Sequence, residues 1–171
     1  GLSSVAFHPN FRQNGRFFIT YNLITSTSQG TGHHNRLSEF RTTGDPRVGD
    51  PLSEIPLITQ FDEGPGHNIN DAHFGPDGYL YVASGDEGDG GNGDDYHNAQ
   101  KIDKDFFSAI LRIDVDKKSG NLPPNAHPAA SDNYAIPADN PFVGIGSWQG
   151  NAIDQSKVRD EFWAIGLRNP W

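Results

Sequence analysis

Two side chains in this sequence have the types and spacing for proton-transfer chemistry. His67 and Asp86 stand nineteen residues apart in the segment GPGHNINDAHFGPDGYLYVASGDEG, residues 64–88. Imidazole titrates near neutrality, so it can accept a hydroxyl proton, and a carboxylate beside it fixes the tautomer and stabilises the imidazolium. The run that begins at Asp86, residues 86–95, sets carboxylates on a glycine frame. Asp86, Asp89 and Asp94 are candidate oxygen ligands for a hard cation such as Ca²⁺. The run is not an EF-hand, because the twelfth position counted from Asp86 is His97 where that motif needs Glu. A solvated acidic loop is the alternative. His33-His34 makes a poor chelate, since neighbours on a strand point to opposite faces, and the pair reads as loop or strand-edge residues.

The elements around His67 and Asp86 form a hairpin. Residues 71–74 make a short strand, and Gly75-Pro76-Asp77-Gly78 makes the turn, with Pro pre-setting φ and Gly accepting positive φ. In the return strand, 79–84, Tyr79, Tyr81 and Ala83 share one face, and Leu80, Val82 and Ser84 share the other. A hairpin of this shape brings its open ends together, so His67 and Asp86 are expected to meet at one rim.

The remaining strands follow the same reasoning. Residues 3–7, 16–24, 34–42 and 53–61 make a first antiparallel sheet, with Asn14-Gly15 as a turn and Pro56 confining the last strand to an edge. Residues 71–74, 79–84, 108–115 and 160–165 make a second. The stretch 116–159, with Pro at 123, 124, 128, 137 and 141, is a long loop of the kind that is functional or braced by a neighbouring surface. Phe106, Phe107, Trp148, Phe162 and Trp163 are expected in the core or between sheets.

Composition narrows the function. The chain has 171 residues, a net charge of −9, 20 Gly and 12 Pro, which suits many short strands joined by turns. Lys and Arg total only 13 and do not cluster, which argues against nucleic acid as a partner. No apolar run approaches the length of a membrane helix. Cysteine is absent, which excludes disulfides and thiolate metal sites and is compatible with a periplasmic or extracellular location. Two sets of four strands suggest four-stranded blades of a β-propeller. Two blades cannot close a ring, so residues 1–171 are read as one partial propeller domain of a longer polypeptide.

The order GLSSVAFHPNF, NGRFFITY, GPGHNINDAHFGPDGYLYVASGDEG, ILRIDVD, YAIPADNPF and EFWAIGLRNPW resembles the glucose/sorbosone dehydrogenase family, nearly end to end. The most specific pieces are FGPDGYLYVASGDEG and GLRNP. The resemblance implies an all-β fold that is part of a six-bladed β-propeller, with about two to three blades of four antiparallel strands present. By that likeness the chain lacks the first blade and whatever follows the RNP turn. The resemblance also implies an activity: oxidation of an aldose at the anomeric carbon to a lactone, with hydride passing to pyrroloquinoline quinone (PQQ). Ca²⁺ would polarise the quinone carbonyl, and an acceptor such as a cytochrome or quinone would take the electrons onward. The family's catalytic base falls on His67, and the Asp that holds it falls on Asp86. The family's PQQ contacts fall on Arg168 and Asn169 of the RNP motif and on Gln100 after the acidic loop.

One departure stands out. The family pattern has Asn before the His and two glycines shortly after it, whereas this chain has Gly66, Ile69 and Asn70. Ile69 and Asn70 are expected to crowd the quinone or change its tilt. Two other readings therefore stay open beside the dehydrogenase. One is a catalytically decayed propeller that binds a protein or a carbohydrate, since the same family fold includes Hedgehog-interacting proteins. The other is a calcium-stabilised structural or surface protein.

Overall fold

The computed structural model describes residues 1–64, 66–88, 94 and 96–171. Strands β1 (Leu2–Phe7), β2 (Arg16–Ser26), β3 (Thr31–Thr42) and β4 (Gly49–Phe61) form one antiparallel sheet in that spatial order. One helical turn, α1 (Phe11–Asn14), precedes β2 and ends at Gly15, whose φ of 64° closes the turn onto the Phe11 carbonyl. β2 forms because it is rich in aromatic and β-branched residues that pack well on a pleated, half-buried surface, and β3 pairs with it residue for residue from Thr31 to Arg41. Pro56 lies on β4, the edge strand, opposite Ser38 where the register slips.

The second sheet runs β10-β7-β6-β5, built from β5 (Ile69–Phe74), β6 (Leu80–Ser84), β7 (Ala109–Ile113) and β10 (Phe162–Ile165). Its turn closes as the sequence predicts: Gly78 N–H donates to the Gly75 carbonyl at 2.9 Å, with Gly78 at φ 76°. A small hairpin, β8 (Ser147–Trp148) and β9 (Asn151–Ala152), stands apart and was not anticipated.

The two sheets lock face to face. Phe18 and Phe74 meet edge to face at 5.4 Å, and the Ser4 hydroxyl donates to Asp71 at 2.7 Å. His8 and Arg16 of the first sheet's side both reach Asp116 beyond β7. The stretch 116–159 is braced onto both sheets through the bridges Ile58–Ala130 and Asp114–Ala135, and it sends Tyr134, Ile136 and Phe142 into the core.

Two aromatic placements differ from expectation. His34 is fully buried in β3, an interior strand, with Nε2 3.0 Å from the Thr27 hydroxyl and Nδ1 3.1 Å from the Gly32 carbonyl. It is a bonded core histidine rather than a loop or edge residue, while His33 faces outward as alternation demands. Trp163 is 40% exposed, lying edge-on to Tyr81 with the Arg112 guanidinium 4.8 Å from its ring centre. It sits on the outer face of the second sheet because Phe162 takes the inward position on β10.

Antiparallel pairing has a direct consequence for function. The start of β5, the end of β6, the start of β7 and the end of β10 all lie on one rim of the second sheet. His67, Asp86, Ser108 and Arg168 flank those four strand ends.

Candidate active site

The rim is held by a ladder of backbone hydrogen bonds that continues past the strands. Gly85 N–H donates to the Asn68 carbonyl, Ser108 N–H to Gly85, and both Gly166 and Leu167 N–H to Ser108, at 2.7–3.1 Å. Asp86 N–H donates to the Arg168 carbonyl at 2.9 Å. These bonds bring residues more than a hundred positions apart in sequence into one site.

His67 and Asp86 meet there. His67 Nδ1 is 2.5 Å from Asp86 Oδ1, and the carboxylate also accepts from Gly88 N–H at 3.0 Å. On the other side of the ring, Arg168 Nη1 lies 3.1 Å from His67 Nε2. A guanidinium only donates, so Nε2 is the acceptor and the ring proton sits on Nδ1, given to Asp86. This is the tautomer a general base needs: its lone pair is on the nitrogen that faces the rim.

The geometry is bought with backbone strain. His67, Glu87 and Ser108 take φ values of 52°, 67° and 60°, a left-handed conformation that costs non-glycine residues roughly 1 kcal/mol or more each. Close approach also requires glycine at two places. A Cβ on Gly85 would stand 2.1 Å from the His67 carbonyl oxygen, and one on Gly88 would stand 2.8 Å from His67 Nδ1.

Behind the pair lies a brace the sequence did not reveal. Asp62 and Glu87 are buried at 2% and 4% exposure. Asp62 accepts from Gly64 N–H and from the Asn35 amide, at 3.0 and 2.6 Å. Glu87 accepts from Glu63 N–H at 2.9 Å and from the Asn98 amide at 3.0 Å. Burial and the neighbouring Glu87 push the Asp62 carboxyl up to about 7, and burial raises Glu87 as well. Together they tie the turn before His67 to the loop after Asp86. Only the positions of these acids beside the motif hinted at it.

The other expected cofactor contacts divide. Asn169 is at the rim, its Oδ1 accepting from Asn70 Nδ2 at 2.5 Å, and Asn70 also donates to the Pro170 carbonyl at 3.2 Å. Gln100 lies against Gly166, two residues before Arg168, and is held by Gln149 and Trp148 at 3.2 and 3.1 Å. Of the two departures after His67, Ile69 is 1% exposed and belongs to the hydrophobic core, so it does not reach the rim. Asn70 does.

The two calcium candidates among the described residues are each engaged by hydrogen bonds. Asp86 is engaged with His67. Asp94 gives its two oxygens to the N–H groups of Asn98 and Ala99, at 2.6 and 2.9 Å. Asp89 lies outside the described residues. Among the described residues no three acidic or histidine side chains are placed to hold a metal.

Two four-stranded antiparallel sheets stacked face to face define a β-propeller portion, with a hydrogen-bonded histidine–carboxylate pair on one rim. The family model described as Glucose / Sorbosone dehydrogenase matches residues 1–171, and the chain belongs to that family. Among curated relatives, the HIPL1 protein of Arabidopsis thaliana is 31% identical over the whole chain, which covers 27% of that protein. The Homo sapiens Hedgehog-interacting protein is 30% identical over 99% of the chain and 21% of its own length. The aldose sugar dehydrogenase YliI of Escherichia coli (strain K12) is 26% identical over 99% of the chain and 36% of its own length. The chain thus spans about a fifth to a third of these relatives. Among solved structures, a glucose dehydrogenase superposes with a TM-score of 0.64 at 22% identity, over 99% of this chain and 38% of that one. The PQQ-bound aldose sugar dehydrogenase from Streptomyces coelicolor superposes with a TM-score of 0.50 at 22% identity, over 76% and 34%. These likenesses speak to the fold.

Proposed function

We propose that this chain carries the proton-transfer centre of a PQQ-dependent sugar dehydrogenase that oxidises an aldose at its anomeric carbon to the lactone. The observation that carries the reading is the His67 ring held between Asp86 at 2.5 Å and Arg168 at 3.1 Å, with its acceptor nitrogen toward the rim. The donor set suits PQQ, whose three carboxylates call for planar, permanently charged partners. The exposed Arg168 guanidinium would take a carboxylate, Asn169 would add an amide donor, and Gln100 is the outlying third candidate. Bound there, PQQ would supply the two-electron acceptor for hydride from C1 of the sugar.

The chain's own residues do the rest. His67 Nε2 accepts the proton of the anomeric hydroxyl, and Asp86 stabilises the imidazolium so formed. Arg168 covers that nitrogen, so binding an anion must draw the guanidinium off the ring before the base can act. No step is assigned to calcium, because the described acidic residues do not converge on a site. A periplasmic or extracellular location and an external electron acceptor, a cytochrome or quinone, belong to the same reading. Among the described residues no helix is long and apolar enough to cross a membrane.

A second reading is a propeller that binds a partner. It is favoured by relatives at 30–31% identity across this chain that are named HIPL1 and Hedgehog-interacting protein. Titrating the full-length protein with PQQ in the presence of Ca²⁺, following quinone absorbance and then adding glucose, separates the two. Binding followed by reduction supports the dehydrogenase, with His67→Ala abolishing reduction and sparing binding. Failure to bind PQQ moves the assignment to the binding propeller.

A further inference from the structure

Asn70 stands at an irregularity in β5. Ile69 pairs with Ser84 and Asp71 pairs with Ala83, so two steps along β5 match one along β6 and Asn70 is the extra residue. A bulge of this kind re-aims a side chain that regular alternation would place elsewhere. Here it turns the Asn70 amide, only 8% exposed, onto the Arg168-Asn169-Pro170 turn.

The hydrogen bonds fix which way both amides face. The Pro170 carbonyl can only accept, so the Asn70 atom 3.2 Å from it is Nδ2, a donor. The same nitrogen is 2.5 Å from Asn169, which must therefore present its oxygen to it. Asn169 is left with its NH₂ directed away from Asn70. We propose that Asn70 is a positioning residue that locks the Asn169 amide with its donor outward, beside Arg168, so that at this position the rim offers a donor and takes a ligand atom that is a hydrogen-bond acceptor. On this inference, the residue that departs from the family pattern reinforces anion recognition instead of obstructing it. The statement about the ligand rests on the dehydrogenase reading, whereas the amide orientation does not.

The decisive variant is Asn70→Asp, which keeps the shape and replaces the donor by an acceptor. Its carboxylate would repel the Pro170 carbonyl and demand the NH₂ of Asn169, turning the Asn169 oxygen outward. In the full-length protein, side-chain amide exchange by NMR should show a slow Asn70 NH₂ and a fast Asn169 NH₂ in the wild type. Asn169 should become slow in Asn70→Asp. PQQ affinity should fall roughly ten-fold or more in Asn70→Asp and by less in Asn70→Ala, because a donor to a charged group is lost only where the amide is inverted. The comparison is made at roughly 0.5 M salt, which damps the added charge. A fast Asn70 NH₂ with a slow Asn169 NH₂ in the wild type would overturn the inference without any variant. So would equal PQQ affinities of the two variants. If the wild type binds no PQQ while the exchange pattern inverts as described, the cofactor reading fails and the positioning role stands.

Discussion

Asp86→Asn is the most informative single change at this site. Asp86 Oδ1 accepts from both His67 Nδ1 and Gly88 N–H, at 2.5 and 3.0 Å. An amide can keep its oxygen toward both donors, so the His67 ring, its tautomer and the loop should all persist. What disappears is the negative charge facing the imidazolium that forms when His67 takes a proton. For two unit charges about 4 Å apart at an effective dielectric near 20, that attraction is about 4 kcal/mol. Asp86 is 3% exposed, which places it toward the weakly screened end of the range. A loss of that size in the transition state alone slows the step roughly 10³-fold. The assay is single-turnover reduction of PQQ-loaded protein by glucose, read from quinone absorbance, with PQQ affinity and melting temperature measured in parallel. Reduction should slow by about three orders of magnitude while affinity and melting temperature stay close to wild type. A rate within about ten-fold of wild type in a folded, PQQ-loaded variant would refute the idea that His67 collects the proton with the help of Asp86.

The other predictions concern what holds the site. Gly85→Ala should destabilise the protein by roughly 1–3 kcal/mol and separate His67 from Asp86, because the new Cβ would sit 2.1 Å from backbone oxygen; an unchanged denaturation midpoint would contradict this. Arg112, 4% exposed, is bonded to Asp77 and Asp139 at 3.0 and 2.7 Å and lies 4.5 Å from the Tyr79 ring centre. Arg112→Ala should cost about 2–3 kcal/mol in urea denaturation, and Lys should restore only part of it because it cannot reproduce the fork. Asp62 and Glu161 have carboxyls pushed up to about 7, chiefly by burial. Both hold a proton when folded at pH values where the unfolded chain has released it, so their contribution to stability is greatest below about pH 4 and is lost as pH rises toward about 7. Asp62→Asn and Glu161→Gln carry no such penalty. Their stability relative to wild type should climb across that window by on the order of 1 kcal/mol or more, and a relative stability that is flat or falls with pH would show that neither carboxyl is raised.

Much of this protein was legible from local chemistry. The strands declared themselves through β-branched and aromatic runs, and the 75–78 turn through a Pro and a Gly whose φ preferences leave little choice. Alternation along β6 put Leu80, Val82 and Ser84 inward. Hairpin closure alone was enough to predict that His67 would meet Asp86, since nineteen residues of strand, turn and strand return the chain to its starting rim.

What the sequence could not decide was whatever depends on pairing at long range. His34 is buried because Thr27, the Gly32 carbonyl and the Phe61 ring close around its imidazole, and Phe61 is brought there only by the pairing of β3 with β4. Trp163 is exposed because Phe162 takes the inward place, and pattern alone does not settle which of two adjacent aromatics goes in. The Asp62–Glu87 brace and the contact of Arg168 with His67 join residues that are distant in sequence. The bulge at Asn70 is a register event between two strands, invisible in either one. The strands, the turn and the meeting of His67 with Asp86 could be read from residue types and spacing, because those follow from local backbone preference and hairpin closure. Which nitrogen of His67 accepts from Arg168 and which way the Asn169 amide points were left to the assembled sheet, because both are set by hydrogen bonds that exist only once β5, β6, β7 and β10 share an edge.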